Sequence, residues 1–183
     1  MRSRRKAREA ALQALYQCDT LGDWSEEIVN LFFQRFYSDQ DLESDSEACD
    51  IPGAQGVMPL GKPQRVKALE RENLNFSRKL ILGALENIEA IDQQISSAST
   101  HWSLGRMSRV DRNILRLATY ELAFLEEIPY NVSINEAIEI AKLYGSDDSS
   151  MFINGVLDNT AKAFSANPEI LSKLQAKKLA AAG

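Results

Sequence analysis

Apolar residues recur along this chain at spacings of three and four, the period of an amphipathic helix, and no alternation lasts long enough to predict a strand. Ala7, Ala10, Ala11, Ala14, Leu15 and Cys18 form one stripe, which predicts a helix over about 3–19 with a surface small enough for close helix approach. Gly22 marks its end. Ile28, Leu31, Phe32 and Phe36 predict the inner face of a second helix over 25–37. Phe76, Leu80, Ala84, Leu85, Ile88, Ile91 and Ile95 predict one long third helix over about 75–99. Val110, Ile114, Leu117, Ala118, Glu121 and Leu125 share a side of a fourth, apolar except at Glu121. Ser108 is its expected cap, Asp111 suits its first turn, and Pro129 helps to stop it. Ser133-x-x-Glu136 reads as a capping box opening a fifth helix, with Ile134, Ala137, Ile138 and Ala141 inward and Gly145 as a left-handed C-terminal cap. Ile153, Val156, Leu157, Thr160 and Ala161 predict a sixth over about 148–164. Residues 166–182 predict a terminal helix that frays at its Ala- and Lys-rich end.

The pattern breaks between 38 and 74. Residues 39–50 hold six acids and no base, and Pro52-Gly53, Gly56, Pro59, Gly61 and Pro63 follow. This composition predicts a solvated insertion, mostly unstructured until about Val66. The expected layout is an all-α domain over 1–165, interrupted by the 38–74 insertion and followed by a tail over 166–183. A chain of 183 residues buries enough surface to fold without disulfides. Cys18 and Cys49 show no framework spacing, so a reduced, cytoplasmic setting is expected. No apolar run approaches the roughly 20 residues of a membrane span, and the N-terminal stretch lacks a signal-peptide core.

Candidate catalytic chemistry is sparse. His101 is the sole histidine, which rules out a histidine-rich metal site, and its expected place is a surface link between helices. Cys18 lies on an apolar face, and the acids around Cys49 disfavour a thiolate. Asp147-Asp148 and Glu126-Glu127 are adjacent pairs, which do not face one another on a helix. Neither a phosphate-binding loop nor a dinucleotide glycine motif is present. The expectation is a non-enzyme without metal or cofactor.

Charge adds a sharper clue. Arg2, Arg4, Arg5, Lys6 and Arg8 all precede the first acid, Glu9; of the 21 bases, the other 16 face 26 acids, a balance of −10. Cations in the first turn of a helix oppose its dipole, so helix stability does not explain this cluster. Either phosphate contacts or a solubilising tail accounts for it. Tyr144 and Phe152 place aromatic surface around the turn at 145–149, where an unpaired base can stack and Asp148 can accept from a base edge. The alternative makes Phe152 core and Asp148 a cap.

The order of RRKAREAALQALYQCD (4–19), VDRNILRLATYEL (110–122), IPYNVSINEAIEIAKLYG (128–145) and FINGVLD (152–158) resembles the NusB family of bacterial transcription antitermination factors. The likeness covers the first helices and nearly everything from Phe76 to Phe164. It implies an all-helical fold of two packed three-helix bundles. It also implies binding of the boxA element in nascent RNA, pairing with the small-subunit ribosomal protein NusE, and work in an antitermination complex on RNA polymerase during ribosomal RNA synthesis. Matched by motif, the implied RNA surface is Arg4, Arg5, Lys6, Arg8, Tyr144, Asp148 and Phe152, and the implied NusE contacts are Tyr16 and Asp111. The acidic insertion and the long tail depart from the family pattern.

Two other readings compete. Some RNA cytosine methyltransferases carry a NusB-like domain ahead of a catalytic domain, but no cofactor motif is found here. A helical interaction protein with an incidental arm is the other. Under the RNA reading, three or four phosphate contacts imply a log–log salt slope of roughly −2 to −3. Apolar residues Phe32, Phe33 and Tyr37 raise the prospect of self-association.

Overall fold

Alanines at 7, 10, 11 and 14 leave the first helix, α1 (Arg2–Leu21), without bulky side chains on one face, and that face is buried in the core. The computed structural model describes residues 2–37, 71–99 and 102–181. α2 (Glu26–Tyr37), α3 (Arg71–Glu86), α4 (Ile88–Ala98), a short 3-10 turn (Leu104–Arg106), α5 (Arg109–Phe124), α6 (Tyr130–Tyr144), α7 (Ser149–Ala166) and α8 (Pro168–Ala181) follow. Every regular element among the described residues is helical.

The architecture is two three-helix bundles packed together through α5. α1, α2 and the α3–α4 rod make the first; α5, α6 and α7 make the second, with α8 laid over α5 and α7. The predicted stripe of α1 is wholly buried, as are Ile114, Leu117 and Ala118 of α5 and Ile153, Val156 and Leu157 of α7. Burial pushes the Cys18 thiol up to about 11, which leaves it an inert packing group. Gly22, at φ +67°, ends α1, and the Asp23 amide reaches back to the Cys18 carbonyl at 3.2 Å, the six-to-one closure of a left-handed cap. Ser108 caps α5, its hydroxyl accepting from the Asp111 amide at 3.0 Å.

Several local expectations differ. The helix read over 75–99 begins by Arg71 and is divided at Asn87, a buried turn residue whose side chain donates to the Gly83 carbonyl at 2.8 Å. Leu31 is 57% exposed, so α2 turns Phe33 inward in its place. Phe32 and Phe33 are both buried, which removes them from any self-association surface. α6 starts at Tyr130, directly after Pro129, and not at Ser133. Ser133 and Glu136 form no capping box, because tertiary partners take both side chains. Gly145 has φ −90° and is no left-handed cap; a Cβ there would lie 2.7 Å from the Ala141 carbonyl oxygen and 2.5 Å from Ser149 Cβ, so close approach selects glycine. His101, Cys49 and the insertion from 38 to 70 lie outside the described residues.

Candidate nucleic-acid interface

The cations of the N-terminal arm point in different directions, because successive residues on a helix turn by about 100°. Arg4 is exposed and sits over the Phe76 ring of α3, 5.4 Å from its centroid. Lys6 faces solvent. Arg5 reaches across to α6, donating to the Glu136 carboxylate through Nε at 2.8 Å and Nη2 at 2.9 Å, with Glu139 at 3.7 Å. Arg8 points into the molecule. It forms two 2.7 Å bonds with Glu121, and its guanidinium also packs over Phe76 at 5.2 Å. Ser133 donates to the same Glu121 at 3.0 Å.

The structure thus accounts for two of the basic residues without any ligand. Arg5 and Arg8 are interhelical pairs that dock α1 on α5 and α6, and their position in the first turns follows from where their acidic partners lie. The Glu136 carboxyl is held below the usual range by the bonds from Arg5, against opposing burial. The Arg8 side chain is 5% exposed, so its expected place on an RNA surface is corrected: it is a docking residue. Glu121, the polar member of the stripe read from the sequence of α5, is its counter-ion.

The aromatic corner is bonded to the helix that bears the arm. The Tyr144 hydroxyl, at the end of α6, donates to Glu9 of α1 at 3.1 Å. The turn at 145–148 follows, with the Ser149 hydroxyl accepting from the Ser146 amide at 2.8 Å. Asp148 is exposed and makes no side-chain cap bond, so its carboxylate is not committed to α7. Phe152, in the first turns of α7, is half-buried and meets Trp102 edge to face at 6.3 Å. Trp102 is 48% exposed, and the Arg106 guanidinium stands 5.1 Å from its ring. Sequence reasoning missed Trp102 and Arg106 as a pair; an aromatic and an arginine four apart in the link WSLGR carried the signal.

Tyr16 and Asp111 occupy a separate region. Tyr16 is buried on α1, one turn before Asp19, and Asp111 immediately precedes Arg112. Arg112 grips Asp19 at 2.7 Å and Asn113 donates to it at 2.9 Å, which brings the two stretches together. Asp111 Oδ1 is buried without a hydrogen-bond partner. Among the described residues no acidic, histidine or cysteine cluster is arranged to hold a metal, and no helix is long and apolar enough to cross a membrane.

Comparison with known proteins places this geometry in context. The model of the NusB family matches residues 59–162. The transcription antitermination protein NusB of Geotalea daltonii is 40% identical over 163 residues, covering 89% of this chain and 97% of that protein. That of Bacillus cereus is 40% identical over 156 residues, covering 85% and 95%. Among solved structures, NusB of T. maritima is 37% identical with a TM-score of 0.64, covering 87% of this chain and 90% of its own. A structure of antitermination factors NusB and NusE with dsRNA is 24% identical, covers 89% of this chain and 98% of its own, and shares the fold with a TM-score of 0.63.

Proposed function

The chain belongs to the NusB family, and from that premise we propose that it is a non-enzymatic, cytoplasmic transcription antitermination factor that grips boxA-type single-stranded RNA together with NusE. It does so within an antitermination complex on RNA polymerase, during ribosomal RNA synthesis. The observation that carries the reading is the Tyr144–Glu9 bond, which ties the end of α6, at the aromatic corner, to the helix that bears the cationic arm. Arg4 and Lys6, with Arg5 beside them, supply phosphate contacts. Phe152, Trp102 and Arg106 offer a stacking platform, and Asp148 an acceptor for a base edge.

With Arg8 buried, two or three phosphate contacts remain, for a log–log salt slope of about −1.4 to −2. So few contacts give modest affinity, and the acidic body adds none. A partner that extends the basic surface makes up the difference, and NusE fills that role. Tyr16 and Asp111 are the proposed contacts, the orphaned Asp111 oxygen being an acceptor still to be satisfied. A fluorescence titration with boxA-like RNA, with and without NusE, tests this: binding tightens in the mixture, and an affinity that NusE leaves unchanged overturns the adaptor mechanism.

A further inference from the structure

Glu139 of α6 stands between two cations. Its carboxylate lies 2.8 Å from Lys142 Nζ and 3.7 Å from Arg5, and its side chain is 41% exposed. One turn earlier Glu136 holds Arg5 through two bonds. The Lys142 bond is also the chief reason the Glu139 carboxyl sits below its ordinary range. An exposed pair three residues apart on a helix adds little to stability, so folding alone gives small reason to keep an acid there.

Its position is more telling. Arg5 belongs to the arm, and Lys142 lies two residues before Tyr144, at the corner. Both cations lie on the helices that carry the arm and the corner, and both are already paired with carboxylates.

We propose that Glu139, backed by Glu136, is an electrostatic brake on the RNA face: it occupies Arg5 and Lys142, so that a phosphate reaches them only by displacing a carboxylate. Exchanging one anion for another yields little net affinity. The backbone contacts that any RNA can make are weakened, and the burden shifts to stacking and base-edge contacts at the corner. Glu139 and Glu136 are therefore specificity-determining residues that need not touch RNA, and Lys142 joins the phosphate-facing set. This inference rests on the RNA-binding reading and assigns the acids that temper it.

The test is a salt-dependent titration of the full chain with labelled single-stranded RNA, boxA-like and scrambled. Glu139→Gln binds both about three- to tenfold tighter at low salt, with a slope steeper by about 0.7 for the one phosphate contact added at Lys142, since Glu136 still holds Arg5. The preference for boxA-like over scrambled RNA narrows. Glu139→Asp, which keeps the charge, binds as the parent does, and thermal melts confirm that both variants fold. Glu136→Gln moves affinity in the same direction at a lower melting temperature, since Glu136 also docks α1. A parent that binds RNA while Glu139→Gln binds no tighter, with an unchanged slope, overturns the brake and leaves the RNA reading standing. A parent that binds neither RNA overturns both.

Discussion

Arg8 and Glu121 form a doubly bonded ion pair, 2.7 Å at each contact, with side chains only 5% and 2% exposed. Such a pair is costly to break because the surviving charge stays buried. Arg8→Ala is expected to destabilise the fold by about 3–5 kcal/mol. Arg8→Met with Glu121→Met removes both charges, and Ser133 can then bond to the carbonyl four residues back. The double variant should recover most of the loss, and its RNA affinity should stay close to that of the parent. Urea melts and a titration check both; a double variant less stable than Arg8→Ala, or one that folds but loses RNA, refutes the docking role.

Gly83 is fixed by Tyr120. A Cβ at Gly83 would fall well inside contact distance of the Tyr120 ring and hydroxyl, and that ring is buried and stacked on Phe124 at 5.1 Å. Alanine normally gains about 0.8–1.0 kcal/mol over glycine in a helix interior. Here overpacking, about 1–3 kcal/mol, outweighs that gain. Gly83→Ala should therefore lower the melting temperature, and adding Tyr120→Leu should reverse part of the loss. A more stable Gly83→Ala protein would contradict the packing.

The helical faces were legible in the sequence because burial of a stripe depends on period, which is local information. α1, α5 and α7 follow their predicted stripes for that reason. What was not legible depends on distant partners. Ser133 and Glu136 have the spacing of a capping box, yet Glu121 and Arg5 claim them. Gly145 looks like a positive-φ cap, yet contact with Ser149 and Ala141 selects it. The arm reads as one basic cluster, whereas helical rotation sends Arg4, Arg5, Lys6 and Arg8 to different surroundings. Tyr144, Asp148 and Phe152 stand out by residue type within one stretch, but Trp102 sits 50 positions before Phe152, and only the tertiary fold joins the two rings.

Trp102 and the arm should separate experimentally. Stacking carries no counterion release, whereas phosphate contacts do. Trp102→Ala should weaken RNA binding by about 1–3 kcal/mol if one base stacks there, with the salt slope unchanged. Lys6→Ala should weaken binding mainly at low salt and flatten the slope by about 0.7. Titrations at several salt concentrations check both, and a Trp102→Ala variant that flattens the slope instead would place that residue on the phosphate path.

The Arg5–Glu136 pair predicts how acid loosens the arm. Bonds from Arg5 hold the Glu136 carboxyl below its ordinary value, with Arg5 and Arg8 charges adding to the effect and burial opposing it. The unfolded chain therefore takes up this proton at a higher pH than the folded one. The pair's contribution is fully present above the ordinary glutamate value of about 4.3 and fades as pH falls through the lower, folded value. Glu127 and Glu139 shift in the same direction, but both are exposed enough for solvent to screen them. Thermal melts from about pH 6 down to pH 3 should show the parent losing stability below the ordinary glutamate range. Glu136→Gln should start less stable and lose less over that interval, because it has no proton to take up at that position. Parallel losses in the two proteins would assign the acid sensitivity to other carboxylates.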